Sequence, residues 1–141
     1  MLKGIPSILS PELLKTLSEM GHGDEIIIAD GNFPAVANAQ RLIRADGHNV
    51  PELLDAILTL LPLDTYTETP VQLMSIVPGD SVTPVIWNEY ESIVKKHFIP
   101  FKNFSFIERF DFYERSKKAF AIITTSEKAL YANILLTKGV I

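Results

Sequence analysis

His22, set between two glycines in Gly21-His22-Gly23-Asp24, is the side chain best suited to exchange protons near neutral pH. An unperturbed imidazole titrates near ~6.5, and flanking glycines permit a tight turn and close approach of a ligand. On spacing alone, a surface histidine beside a helix cap satisfies the same pattern. Asp30 follows the apolar run Ile26-Ile27-Ile28, at the edge where open α/β sheets present ligand groups. It can accept a hydroxyl hydrogen bond or orient a base; the plain alternative is an Asx turn that caps its own loop. Arg109 lies within Glu108-Arg109-Phe110-Asp111-Phe112-Tyr113-Glu114-Arg115. Aromatics interleaved with charges suit a pocket that must meet both apolar faces and hydroxyls, as a sugar site must. They suit equally a strand-to-helix junction with its rings in the core. Tyr131-Ala132-Asn133 adds a phenol and a carboxamide, both fitted to hydroxyl recognition.

Spacing limits how these groups can combine. Eight positions separate His22 from Asp30, and an extended path of that length spans roughly 26 Å. The two meet in one pocket only if the flanking turns fold back or if two chains contribute. His48 and His97 show no metal-type spacing with each other or with His22, so no zinc or iron site is expected. No phosphate-cradling glycine loop and no serine-centred elbow is present, which removes support for nucleotide and hydrolase chemistry. The chain has no cysteine, which excludes disulfides and thiolate catalysis. A net charge of -4, with basic residues scattered or paired as in Lys95-Lys96 and Lys117-Lys118, argues against a nucleic-acid partner. No apolar run approaches the ~20 residues of a membrane span, and the N-terminus has no signal-like apolar core. No membrane partner is expected, and cytoplasmic residence is the default.

The elements that must position these residues follow from periodicity. At 141 residues the chain fits one domain, 1–141, with no repeat or linker to divide it. Ser10-Pro11-Glu12 predicts a helix start, with Leu13, Leu14, Leu17 and Met20 at helical spacing and Gly21 placed to stop it. Glu25 to Ala29 reads as a buried strand, ending in the loop Asp30-Gly31-Asn32-Phe33-Pro34. A second strand is expected over Arg41 to Ala45, a helix over Pro51 to Leu61, a strand over Val71 to Val77 and a helix over Pro84 to His97. Ser105 to Arg109 reads as a strand and Phe112 to Lys118 as a short helix. Phe120 to Thr125 and Asn133 to Thr137 read as two last strands. Strands alternating with helices predict an α/β domain of three layers, a mixed or largely parallel sheet flanked by helices.

Taken in order, these segments resemble the RbsD/FucU family of sugar mutarotases, and its fucose branch in particular. The matching stretches are Ser10-Pro11-Glu12-Leu13-Leu14, Met20-Gly21-His22-Gly23-Asp24-Glu25-Ile26, and Asp30 with Phe33-Pro34. They continue through Ile43-Arg44-Ala45-Asp46-Gly47, Arg109-Phe110 with Phe112-Tyr113-Glu114-Arg115, and Lys118-Ala119-Phe120-Ala121, to Tyr131-Ala132-Asn133 and Lys138-Gly139-Val140. The resemblance implies an enzyme that exchanges the α and β anomers of a free monosaccharide, without a cofactor or metal. It implies that His22 is the proton donor and that Asp30, Arg109, Tyr131, Ala132 and Asn133 bind the sugar. It further implies ring-shaped homo-oligomers, often decamers, with pockets near subunit contacts. Asn32, Ala132 and Ser126 in Thr125-Ser126-Glu127 depart from the fucose branch; Ala132 is similar to the ribose branch. Three readings follow: an L-fucose-type mutarotase, a ribose-type enzyme exchanging pyranose and furanose rings, and a non-catalytic sugar-binding accessory to uptake.

Overall fold

Ser10 opens the first helix, α1 (Pro11–Glu19), by accepting a hydrogen bond from the Leu13 amide at 3.1 Å in this computed structural model, which describes residues 1–141. The helix stops because Met20 turns to extended backbone, φ -65° and ψ 134°. Gly21 is not the left-handed residue that was expected to end it; that conformation falls to Gly23, at φ 86°. The chain then forms β1 (Glu25–Ala29), α2 (Ala35–Asn38), β2 (Leu42–Arg44), α3 (Val50–Leu58), β3 (Val71–Met74) and α4 (Ile86–His97). It ends with β4 (Ser105–Ile107), α5 (Arg109–Lys118), β5 (Ala121–Thr124) and β6 (Ile134–Thr137). The single turn α2 carries no periodic signal and was not expected. Arg109 opens α5 instead of closing β4, because the Glu108 carboxylate accepts from the Phe110 and Asp111 amides and caps the helix there. The strand expected to reach Val77 leaves the sheet after Met74.

The sheet has six strands in the order β2-β5-β1-β6-β3-β4. Five run parallel; β6 alone is antiparallel, inserted between β1 and β3. The carboxyl ends of the five parallel strands therefore share one edge of the sheet with the start of β6. Side chains alternate between two cores, as the pleat requires. Ile26 and Ile28 of β1, Ala121 and Ile123 of β5, and Ile134 and Leu136 of β6 join the larger core with α1, α3 and α4. Ile27, Ile122 and Leu135 face the smaller one with Phe112 of α5 and Ala35 of α2. Each such aliphatic side chain contributes about 2 kcal/mol by leaving water, which explains why the central runs are apolar at every position.

Beyond β6 the chain continues as a narrow connector between two segments. Lys138 accepts from the Gly23 amide at 2.8 Å and donates to the Asp24 carbonyl, while Gly139 donates to the Pro62 carbonyl and Thr137 accepts from the Asp64 amide. The packing at Gly139 is close: a β-carbon there would stand 2.5 Å from the Leu63 carbonyl oxygen and 2.7 Å from the Asp64 α-carbon. Because the neighbour is backbone, it cannot swing aside as a side chain would. Gly139→Ala is expected to cost about 1–3 kcal/mol, read as a lowered urea midpoint. An unchanged midpoint would show that the Leu63–Asp64 backbone yields freely.

Candidate active site

The turn from Gly21 to Asp24 explains the glycine-flanked histidine. The Asp24 amide donates to the Gly21 carbonyl and the Asp24 carboxylate accepts from the Gly21 amide at 2.7 Å. Gly23 takes the positive φ that the turn demands, and His22 projects from its corner with 45% of its side chain exposed. Its Nε2 lies 3.0 Å from Oδ1 of Asp64, and its ring packs at a tilt on Tyr66, with centroids 5.4 Å apart. Asp64 is buried and also accepts from the Tyr66 amide. That amide above all, with His22 second, holds the Asp64 carboxyl below the usual range. An ionised carboxylate on one ring nitrogen fixes the tautomer and orientation of the imidazole.

Asp30 occupies the opposite edge of the sheet. It does form an Asx turn, Oδ1 accepting from the Asn32 amide at 2.9 Å, and it does more than that. Oδ2 accepts from the Asn133 carboxamide at 3.0 Å, while the Asn133 oxygen accepts from the Asp30 amide at 2.8 Å. Both residues are buried. Burial pushes the Asp30 carboxyl up from its ordinary value, against the pull of those donors. The same edge holds Tyr131, at φ 58°, the one non-glycine residue with a positive φ. Arg109 lies there too, its guanidinium 4.5 Å from the Phe110 ring centroid and its buried Nε without a partner. Its positive charge acts, weakly, on the Tyr131 hydroxyl.

Asp30, Arg109, Tyr131 and Asn133 are thus brought together at the carboxyl edge, and His22 is not. Strand β1, extended over five residues, keeps the two groups apart by roughly 16 Å or more; the turns at its ends do not fold back. Ala132 belongs to the edge by its backbone alone. Its methyl group is fully buried in the larger core and its carbonyl accepts from the Tyr90 hydroxyl at 2.6 Å. The clefts of about 570 and 710 Å³ lie elsewhere, beside Glu89 and beside Asn103, and hold none of these groups. No group of three or more histidine, aspartate or glutamate side chains is gathered to hold a metal. Asp64 and Tyr66 escaped sequence reasoning: they lie 42 and 44 positions from His22, in a loop whose only marks are Pro62 and Pro70.

The raised proton affinity of Asp30 has a consequence for stability. The native carboxyl holds its proton more tightly than the unfolded one, so this group favours the fold below an unfolded value near ~3.9. That contribution is lost as pH rises through the higher native value. The stability difference between the wild type and Asp30→Ala is therefore expected to shrink as pH is raised from about 4 towards neutrality, in denaturant titrations run at each pH. A difference that widens over that window would contradict the assignment.

A model of the RbsD / FucU transport protein family matches residues 3–141. The chain is 54% identical to the fucose mutarotase of Homo sapiens over 99% of this chain and 94% of that protein. It is 47% identical to the L-fucose mutarotase of Haemophilus influenzae, over 99% of this chain and 97% of that one. A crystal structure of the fucose mutarotase from Streptococcus pneumoniae in complex with L-fucose superposes with a TM-score of 0.95 at 54% identity, covering 99% of each chain. Bacillus subtilis RbsD complexed with D-ribose, 22% identical with a TM-score of 0.73 over 100% of this chain and 99% of that one, shares the fold. With the family model matched over residues 3–141 and a relative 54% identical over 99% of this chain, the chain belongs to the RbsD/FucU family.

Proposed function

We propose that the protein is a mutarotase that interconverts the α and β anomers of a free monosaccharide, L-fucose first among them. One observation carries the reading: the carboxyl edge assembles Asp30, Asn133, Tyr131 and Arg109, a mixed set of acceptors and donors for hydroxyls, within a fold shared at 54% identity with a fucose mutarotase crystallised with L-fucose. The Ala132 methyl points into the core, so its likeness to the ribose branch does not reach the sugar. That favours the anomer exchange of L-fucose over the ribose-type exchange of pyranose and furanose rings, and a paired histidine and aspartate favour catalysis over a purely accessory role in uptake.

The chemistry needs only proton transfers. Ring opening breaks the bond from the anomeric carbon to the ring oxygen and forms the aldehyde carbonyl. His22 donates a proton to the ring oxygen as Asp30, its proton affinity raised by burial, takes the proton of the anomeric hydroxyl. Reclosure on the other face returns both protons, leaving the enzyme unchanged. A placed acid or base supplies about 10²- to 10⁴-fold, which suffices for a reaction that already proceeds slowly in water. Asp64 keeps the His22 ring oriented throughout.

Because the two groups stand on opposite edges, each site takes His22 from one copy and the Asp30 edge from another. A head-to-tail contact of this kind closes into a ring when its rotation allows, which supports a ring-shaped oligomer, a decamer in the family's pattern. Exposed apolar side chains are available for such a contact: Phe110 and Leu130 near the carboxyl edge, and Tyr66 beside His22.

Saturation-transfer NMR on L-fucose measures anomer exchange directly. The wild type is expected to accelerate it, and His22→Ala to lose about 100-fold or more; acceleration that survives in the variant would remove His22 as the donor. Mixed oligomers of His22→Ala and Arg109→Ala chains test the shared site. Co-assembly is expected to restore about a quarter of the sites, those that draw one intact group from each chain. No recovery from an equal mixture would place both groups in one chain.

A further inference from the structure

We propose that Asp80 is a positioning residue that makes the Tyr131 hydroxyl a dedicated hydrogen-bond acceptor for one hydroxyl of the sugar. The inference rests on the reading of Tyr131 as a sugar-binding residue and goes beyond it, by assigning the direction of that hydrogen bond and the residue that sets it.

Tyr131 is not free to choose its place. Its backbone is left-handed, at φ 58°, a conformation that a bulky residue holds only where the surroundings compel it. The compulsion comes from α4. The Trp87 indole Nε1 donates to the Tyr131 carbonyl at 2.8 Å, and the Tyr90 hydroxyl donates to the Ala132 carbonyl at 2.6 Å. Two aromatic side chains thus hold consecutive peptide carbonyls, and Tyr90 is fully buried.

With the residue fixed, its hydroxyl can be accounted for atom by atom. A phenol has one proton to donate and two sites at which to accept. The Tyr131 hydroxyl donates to Oδ2 of Asp80 at 2.6 Å and accepts from the Val77 amide at 3.2 Å. The proton is committed and one acceptor site is filled, so a ligand meets the remaining acceptor site alone. Only a donor can use it, and on a neutral sugar the donors are hydroxyls. The carboxylate is itself held. Oδ1 of Asp80 accepts from the Val82 amide at 3.0 Å, the Asp80 amide donates to the Val77 carbonyl, and Gly79 turns the loop at φ 88°. The segment from Val77 to Val82, following β3, is folded on itself so that its carboxylate meets a phenol 51 positions away. Tyr131 and the Val82 amide keep Asp80 ionised, and Asp80 in turn raises the proton affinity of the phenol, so the proton stays on Tyr131. A charge-assisted hydrogen bond of this kind is stronger than a neutral one.

Kinetics on L-fucose, with deoxy analogues lacking one hydroxyl each, test the assignment. Asp80→Ala is expected to raise KM about tenfold while kcat changes by less than about twofold. Asp80→Asn, whose carboxamide oxygen can still accept from Tyr131, is expected to recover most of the loss. Asp80→Ala on a Tyr131→Phe background is expected to add nothing, and the analogue that the wild type rejects most strongly through Tyr131 is expected to lose its disadvantage in Asp80→Ala. If Tyr131→Phe raises KM and Asp80→Ala does not, or if the two losses multiply in the double variant, the role of Asp80 is overturned while Tyr131 remains a sugar contact. If Tyr131→Phe leaves KM unchanged, the sugar-binding reading of Tyr131 falls and this inference falls with it. Thermal melts that match the wild type exclude misfolding as the cause of a raised KM; a lower melt with KM restored in Asp80→Asn still supports the assignment.

Discussion

Both halves of the site hang on β6, because an antiparallel strand inserted among parallel ones runs from one edge of the sheet to the other in the opposite sense from its neighbours. Its register against β1, with Ile28 opposite Ile134 and Glu25 opposite Thr137, places Asn133 beside Asp30 at one end. At the other end it places Lys138 and Gly139 between the His22 turn and the segment that carries Asp64. A shift of one residue would send Ile134 and Leu136 to the smaller core and Leu135 to the larger one, against side chains they do not fit. It would also break the paired hydrogen bonds between Asp30 and Asn133 and the separate contacts that set His22 against Asp64. Four strands' worth of buried aliphatic side chains hold that register, so the positions of the polar groups are set by apolar packing far more than by the polar contacts themselves.

The same register separates the groups it places. A rigid strand between His22 and Asp30 leaves the proposed proton donor on one edge and the proposed hydroxyl-binding residues on the other. Mutarotation tolerates this division because it requires no covalent bond between enzyme and sugar, only two proton-bearing groups on different sides of the hemiacetal. In the proposed ring of copies meeting head to tail, every contact supplies that arrangement. Under that proposal the orphaned Nε of Arg109 and the exposed Phe110 and Tyr66 rings belong to surfaces that assembly would complete.

What the sequence disclosed, and what it withheld, divide along the same line. The turn around His22, the strand Glu25–Ala29 and the Ser10 cap were legible because each is a local pattern: glycine for a positive φ, β-branched residues between turn formers, a hydroxyl before a proline. The proposed roles of His22, Asp30, Arg109 and Asn133 rest on ordered motifs along the whole chain, since each residue alone has a plain structural explanation. Asp64 and Asp80 were not legible. Their partners lie 42 and 51 positions away, and no periodicity records which loop a sheet brings against which. Ala132 was legible as part of a motif but not in its direction, for which side of the chain faces the core depends on the register of β6. The start of α5 was misplaced because a glutamate cap at Glu108 is less usual than serine or aspartate.

Asp30 shows what such a site costs the fold. A carboxyl buried between Asn133 and its own loop resists ionisation, and its contribution to stability is smaller near neutrality than in acid. The paired carboxamide of Asn133 offsets part of that cost by donating to the carboxylate while accepting from the backbone of the same residue. Replacing the pair by apolar side chains would relieve the sheet edge of its least comfortable groups and would remove the proposed acceptor of the hydroxyl proton. In the proposed role the pair is kept because a group partly removed from water has its proton affinity raised, and the carboxyl edge of the sheet, where both residues are buried, is where that removal is achieved.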